Sequence, residues 1–189
     1  MERIWAPWRI GYVTGDDRPD GCVFCAKIRS DDDEVNQVLH RGEHNVILIN
    51  TYPYNSGHVM VVPNAHVGEL GDLSGEAGCE LWDLTALAVE ALKHRLCPQG
   101  VNIGMNLGQV AGAGISDHIH MHIVPRWSGD TNFMTTVAKT RVVHQSLEDS
   151  YEQLRPAIEE LAASGREGQT GPREARRPLK GEERCDSAQ

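Results

Sequence analysis

His118-Ile119-His120-Met121-His122-Ile123-Val124 decides how this chain of 189 residues is read. Three histidines recur at every second position. In a β-strand successive side chains point to opposite faces, so the alternation predicts three imidazoles on one face, roughly 6.5–7 Å apart along the strand. Ile119, Met121, Ile123 and Val124 then mostly supply the buried side. Three imidazoles in one buried layer would each need a hydrogen-bond partner, which weighs against a merely structural row. Two chemistries remain: a histidine that attacks phosphorus, or a His-x-His pair that holds catalytic zinc with a third ligand from elsewhere.

The flanking residues help to choose. Just upstream, Asn106-Leu107-Gly108 and Gly112-Ala113-Gly114 frame a segment nearly free of side chains. Glycine there lets backbone N–H groups come close to anionic oxygens, which makes a nest for phosphate. For zinc hydrolysis by the row itself no general-base carboxylate stands at a suitable spacing, because Asp117 alternates to the opposite face. Asn50 offers an amide to a hydroxyl-bearing ligand, or simply ends a strand. Cys22-x-x-Cys25 supplies half of a tetrahedral zinc site or a pair of free thiols; a thioredoxin-like role lacks its β-α-β context.

Further out, strands are expected at Val35–His40, Asn45–Asn50, His58–Val62 and Val101–Leu107. The histidine strand follows, closed by Pro125, with an edge strand at Thr140–His144. Asp31–Glu34 reads as a solvated loop. Ser74 is the N-cap of a long helix with Leu81, Leu84, Ala88, Ala91 and Leu92 at helical spacing, ended by Pro98. A last amphipathic helix spans Leu147–Ala163 through Tyr151, Leu154, Ile158 and Leu161, and Pro156 should kink it or end its first half. Strands in runs with helices between and after them predict an α+β domain with an antiparallel sheet. Residues 1–20 read as an arm that packs by its aromatics, 21–163 as one domain, and 164–189 as a disordered tail whose only large apolar side chain is Leu179.

Hydrophobic content of 40% and charged content of 24% fit a globular protein. A net charge of −9 argues against a general nucleic-acid binder, which needs clustered Lys and Arg. No run approaches the ~18 apolar residues of a membrane span, and the first residues have no apolar signal core, so a cytoplasmic location without membrane partners is expected. Five cysteines fit no disulfide framework; Cys79, Cys97 and Cys185 read as buried or free thiols.

The histidine row resembles the His-φ-His-φ-His-φ-φ signature of the histidine-triad (HIT) nucleotide hydrolases and transferases, where φ is apolar. The likeness covers roughly residues 22–126, with landmarks at Asn50, Gly57-His58-Val59 and Pro63. Trp5-Ala6-Pro7-Trp8-Arg9, Pro125-Arg126-Trp127 and Gly129-Asp130-Thr131-Asn132-Phe133 resemble the bacterial diadenosine tetraphosphate phosphorylase or hydrolase branch. That resemblance implies a HIT-like fold with a five-stranded antiparallel sheet, one long helix and a C-terminal helix, usually paired as a homodimer. The helix from Ser74, with Trp82, is a candidate interface.

The resemblance further implies an enzyme in which His120 attacks the α-phosphorus of a dinucleoside polyphosphate and forms a nucleotidyl-histidine intermediate, with no cofactor needed for the chemical step. His122 and the backbone near Gly112 and Gly114 would hold phosphoryl oxygens, Asn106 the ribose or phosphate, and Asn50 the ribose hydroxyls. Val46, Ile47 and Leu48 are open between a wall for the base and plain core. Some histidine-triad relatives complete a structural zinc site with residues equivalent to His66 and His118, joining Cys22 and Cys25. The pattern departs at Gly114, where many members carry a polar residue, often Gln. Two other readings share this site: a nucleoside phosphoramidase using His120, and a non-catalytic nucleotide-binding protein.

Overall fold

The computed structural model describes residues 21–130 and 145–167. The expected arm, the 140–144 edge strand and the tail beyond residue 167 lie outside the described residues.

Asn45–Ile49 (β2) and Val59–Pro63 (β3) are almost wholly apolar, and every residue of both is buried. Such runs pack on both faces and belong inside a sheet. β2 pairs antiparallel with β3 from Asn45↔Pro63 to Ile49↔Val59. Val38–Arg41 (β1) lies outside β2, and Gly100–Gly104 (β4) and Met121–Arg126 (β5) follow in the chain. The five strands form one sheet in the order β1-β2-β3-β5-β4, with every pair antiparallel. The antiparallel α+β expectation holds.

Alternation divides the sheet into two faces. Ile47, Ile49, Val59, Val61, Met121 and Ile123 face the helices Gly75–Leu96 (α3) and Leu147–Glu167 (α4). On the other face Val46, Leu48, Met60 and Val62 pack with Phe24 of the short helix Val23–Arg29 (α1). Ser74 caps α3 by accepting the Ala77 N–H at 3.1 Å, and Leu81, Leu84, Ala88, Ala91 and Leu92 are buried as the spacing predicts. Each buried leucine contributes about 2 kcal/mol, and a cap about 1 kcal/mol, so the apolar stripe holds α3 in place.

Several local expectations give way. Asp32 accepts the Val35 N–H at 3.1 Å and starts one helical turn, Asp33–Asn36 (α2), where a loop and then a strand were expected. Gln37, at φ 59°, then turns the chain into β1. Strand β4 ends at Gly104 rather than Leu107. Pro125 does not close β5: pairing with β3 is finished by Ile123, while Val101↔Pro125 continues the ladder to β4. Nor does Pro156 interrupt α4, which runs to Glu167, four residues past the expected end. Cys79 is an exposed free thiol, whereas Cys97 is disulfide-bonded, against expectation. Among the described residues no helix is long and apolar enough to cross a membrane.

Candidate functional site

The histidine row straddles the start of β5. Only His122 lies in the ladder, between Met60 of β3 and Gly104 of β4. His118–His120 precede the strand, held beside it by the Ile119 N–H donating to the Val67 carbonyl at 2.8 Å. The even-numbered face is kept, but the rings do not stand as an evenly spaced row. Those of His120 and His122 meet edge to face with centroids 4.7 Å apart, while His118 turns to a different cluster.

Backbone groups fix the tautomers, because a carbonyl can only accept and an amide N–H can only donate. His120 Nδ1 lies 2.9 Å from the His118 carbonyl, so Nδ1 carries the proton and Nε2 keeps a lone pair. The Tyr54 N–H donates to His58 Nδ1 at 3.0 Å, which puts the His58 proton on Nε2. His58 Nε2 then donates to His122 Nδ1, also at 3.0 Å, and His122 is left with an N–H on Nε2. The neighbours thus carry complementary ring atoms: a lone pair on His120 and a donor on His122.

All three rings are buried. Loss of water lowers the His58 pKa to about 3 and that of His122 to about 4, helped by the neighbouring imidazoles. Burial lowers the His120 pKa too, against a raising contribution from the His118 carbonyl. At neutral pH the group is uncharged, as a nucleophilic imidazole requires.

His120 and His122 border a cavity of about 490 Å³. Phe24, Leu48, Met60 and Ile115 give it apolar walls, and Gly112-Ala113-Gly114 supply a stretch with no side chain larger than a methyl group. Gly112 sits at φ +96°, a conformation that costs glycine little. Asn50 lines the cavity; its Oδ1 accepts the Tyr52 N–H at 2.9 Å. Asn106 is not part of the lining, although its Nδ2 lies 3.9 Å from where a Cβ on Gly112 would sit. Of the three β2 residues considered for a base wall, Leu48 lines the cavity; Val46 packs in the core of that face and Ile47 against the helices.

Sequence reasoning missed the supporting shell. His58, fully buried, was only a landmark, and Tyr54 only a turn residue. Tyr54 lies against both His58 and His122, with centroids 4.7 and 5.6 Å away. Phe24 lies 5.0 Å from His120. No local pattern marks the contacts to His120 and His122, whose partners Phe24, Tyr54 and His58 stand far from them in sequence.

His118 belongs to a second cluster with Cys22, Cys25 and His66, whose ligand atoms all lie within 4.8 Å of one another. His118 Nε2 donates to the Pro63 carbonyl at 2.8 Å, which leaves Nδ1 to face the sulfur atoms. It lies 3.3 Å from Cys22 Sγ and 3.6 Å from Cys25 Sγ, and His66 Nδ1 is 3.4 Å from Cys25 Sγ. A tetrahedral zinc ion with bonds of about 2.3 Å to sulfur and 2.05 Å to nitrogen separates such atoms by about 3.6 Å. The donor set fits zinc in type, number and spacing, and the Pro63 carbonyl is the outer partner that orients a ligating histidine.

The chain is similar to several known proteins. The family model described as HIT domain matches residues 33–129. An AP-4-A phosphorylase of Mycobacterium tuberculosis is 38% identical, over 79% of this chain and 80% of that one. An adenosine 5'-monophosphoramidase of Schizosaccharomyces pombe is 27% identical, over 56% of this chain and 74% of its own length. Among solved structures, a zinc-bound histidine triad family protein from Mycobacterium smegmatis superposes with a TM-score of 0.61 at 28% identity, over 76% of this chain and 96% of that one.

Proposed function

This chain belongs to the HIT domain family, and on that premise we propose that it is a nucleotidyl hydrolase or transferase that cleaves dinucleoside polyphosphates through a histidine adduct. The observation that carries the proposal is the bond from His120 Nδ1 to the His118 carbonyl, which leaves an Nε2 lone pair on a ring bordering the cavity. In the proposed step Nε2 attacks the α-phosphorus, and the P–O bond to the leaving phosphate chain breaks with its electron pair. A P–N bond joins nucleotide and enzyme until water, phosphate or another acceptor displaces the histidine. His122 Nε2–H and the backbone of Gly112 and Gly114 hold the phosphoryl oxygens, with Asn106 close behind that loop. Asn50 meets the ribose. Similarity to an AP-4-A phosphorylase supports an adenine dinucleotide as substrate.

In this reading Cys22, Cys25, His66 and His118 hold a structural zinc ion that fastens α1 to the residues before β5, and His118 takes no part in the chemistry. We also propose a homodimer. Trp82 on α3, 62% exposed, and Ile103 on the edge strand β4, 46% exposed, are the apolar residues that suit such an interface.

The test is incubation with diadenosine tetraphosphate, with and without phosphate. ADP plus ATP formed only with phosphate identifies a phosphorylase, and AMP plus ATP formed from water an asymmetric hydrolase. The His120→Asn protein should lose turnover by several orders of magnitude and form no covalent adduct, yet still bind nucleotide. Turnover without a recoverable adduct in the wild type would defeat the proposal. The similarity to a monophosphoramidase supports a second reading, in which the same His120 releases an amine. Turnover of an adenosine phosphoramidate with no cleavage of the dinucleotide would select it.

A further inference from the structure

Lys27 is the one cationic side chain bordering the cavity among the described residues. Val23, Phe24 and Lys27 lie along one side of α1 and all border the cleft. The Phe24 ring, 5.0 Å from His120, marks the reacting end. Lys27 stands three residues further on, about 4.5 Å along the helix axis. Its ammonium donates to the Asn36 carbonyl at 2.9 Å. The next residue, Gln37, accepts the Ile49 N–H at 2.9 Å, so this segment runs beside the end of β2, where Leu48 and Asn50 face the cavity. In the sheet order β2 stands two strands from β5, about 10 Å across. A nucleoside joined to a phosphate at His120 spans that distance between the apolar walls.

We propose that Lys27 reads the edge of the nucleobase, its ammonium donating to a ring nitrogen or exocyclic oxygen, and so sets base preference. The inference rests on the nucleotide reading of the site. An ammonium has three donors and no acceptor, and the Asn36 carbonyl takes one of the three. Holding a cation partly out of water is costly. An acceptor on the base offsets that cost, whereas a purely apolar edge leaves it standing. The same position makes Lys27 a poor partner for the reacting phosphate, which lies at the β5 side.

The test measures binding calorimetrically in full-length protein carrying His120→Asn, with Lys27 intact or changed to Met or Gln. The probes are AMP and ribose 5-phosphate, followed by GMP, CMP and UMP. Loss of one charge-assisted hydrogen bond should weaken AMP about tenfold, leave ribose 5-phosphate within about twofold, and flatten the differences among the four nucleotides. Equal weakening of AMP and ribose 5-phosphate would mean that the charge meets phosphate, and would overturn the inference. So would unchanged AMP binding in both variants. No AMP binding even with Lys27 intact overturns the nucleotide reading and this inference with it, so the two failures are distinguishable.

Discussion

His58 forms no bond to substrate in the proposed chemistry, yet it decides which proton His122 can offer. It accepts from the Tyr54 amide and donates to His122, each at 3.0 Å. Replacing it by Phe keeps a ring of similar size and removes both hydrogen bonds. The His58→Phe protein is expected to stay folded and to lose about 10- to 100-fold in kcat, with KM little changed. A steady-state comparison on the dinucleotide checks this, and an unaltered kcat would mean that His122 holds its tautomer without the relay. The residue scale is also where sequence reading was least complete. Alternation alone marks His120 and His122, together with His118. It does not reach His58, Tyr54 and Phe24, since a ring contact across 64 residues leaves no periodic mark.

Among the elements, the histidine row shows how one motif serves two structures. The alternation correctly puts His120 and His122 on the face away from α3 and α4, because period two holds in extended chain whether or not a neighbouring strand pairs with it. It says nothing of where the ladder starts; what set His118 apart from the other two was the family resemblance, which grouped it with Cys22, Cys25 and His66. The turn from β2 to β3 depends on Gly57, at φ +71°, where an added Cβ would meet the Leu96 side chain. Gly57→Ala should cost more than about 1 kcal/mol. At the other end of the same packing, Ser74→Ala should cost about 1 kcal/mol by orphaning the Ala77 N–H. Chemical denaturation of the two variants tests both; a smaller loss at Gly57 than at Ser74 would contradict the ordering. Pro156 was misjudged from the helix rule alone. The 21-residue α4 carries Tyr151, Leu154, Ala157, Ile158 and Leu161 into the core, and packing of that stripe outweighs one missing hydrogen bond.

For the molecule as a whole, the buried imidazoles make stability depend on pH with a definite sign. His58 and His122 have folded pKa values of about 3 and about 4, below the ordinary 6.5. The unfolded chain therefore binds protons first as pH falls. Their contribution is complete above about pH 6.5 and is lost progressively toward pH 4 and 3. Thermal unfolding at a series of pH values should show that decline, and His58→Phe should make it shallower. Metal removal acts on the global fold as well: chelation of the zinc-loaded protein should lower the melting temperature by several degrees and restore it on re-addition. A melting temperature indifferent to chelator would remove the metal from the account.

Extended alternation, apolar runs, the Ser74 cap and the amphipathic stripes were sufficient by themselves to establish an antiparallel α+β chain with imidazoles on one face, because each depends only on local periodicity. Folding in three dimensions decided the rest. It separated His118 from His120 and His122, brought Cys22, Cys25 and His66 to the first, a grouping that the family resemblance implied and no local pattern showed, and set His58 behind the last. Those are contacts between residues about 40 to 100 positions apart, and their geometry exists only once the strands have paired in the order β1-β2-β3-β5-β4.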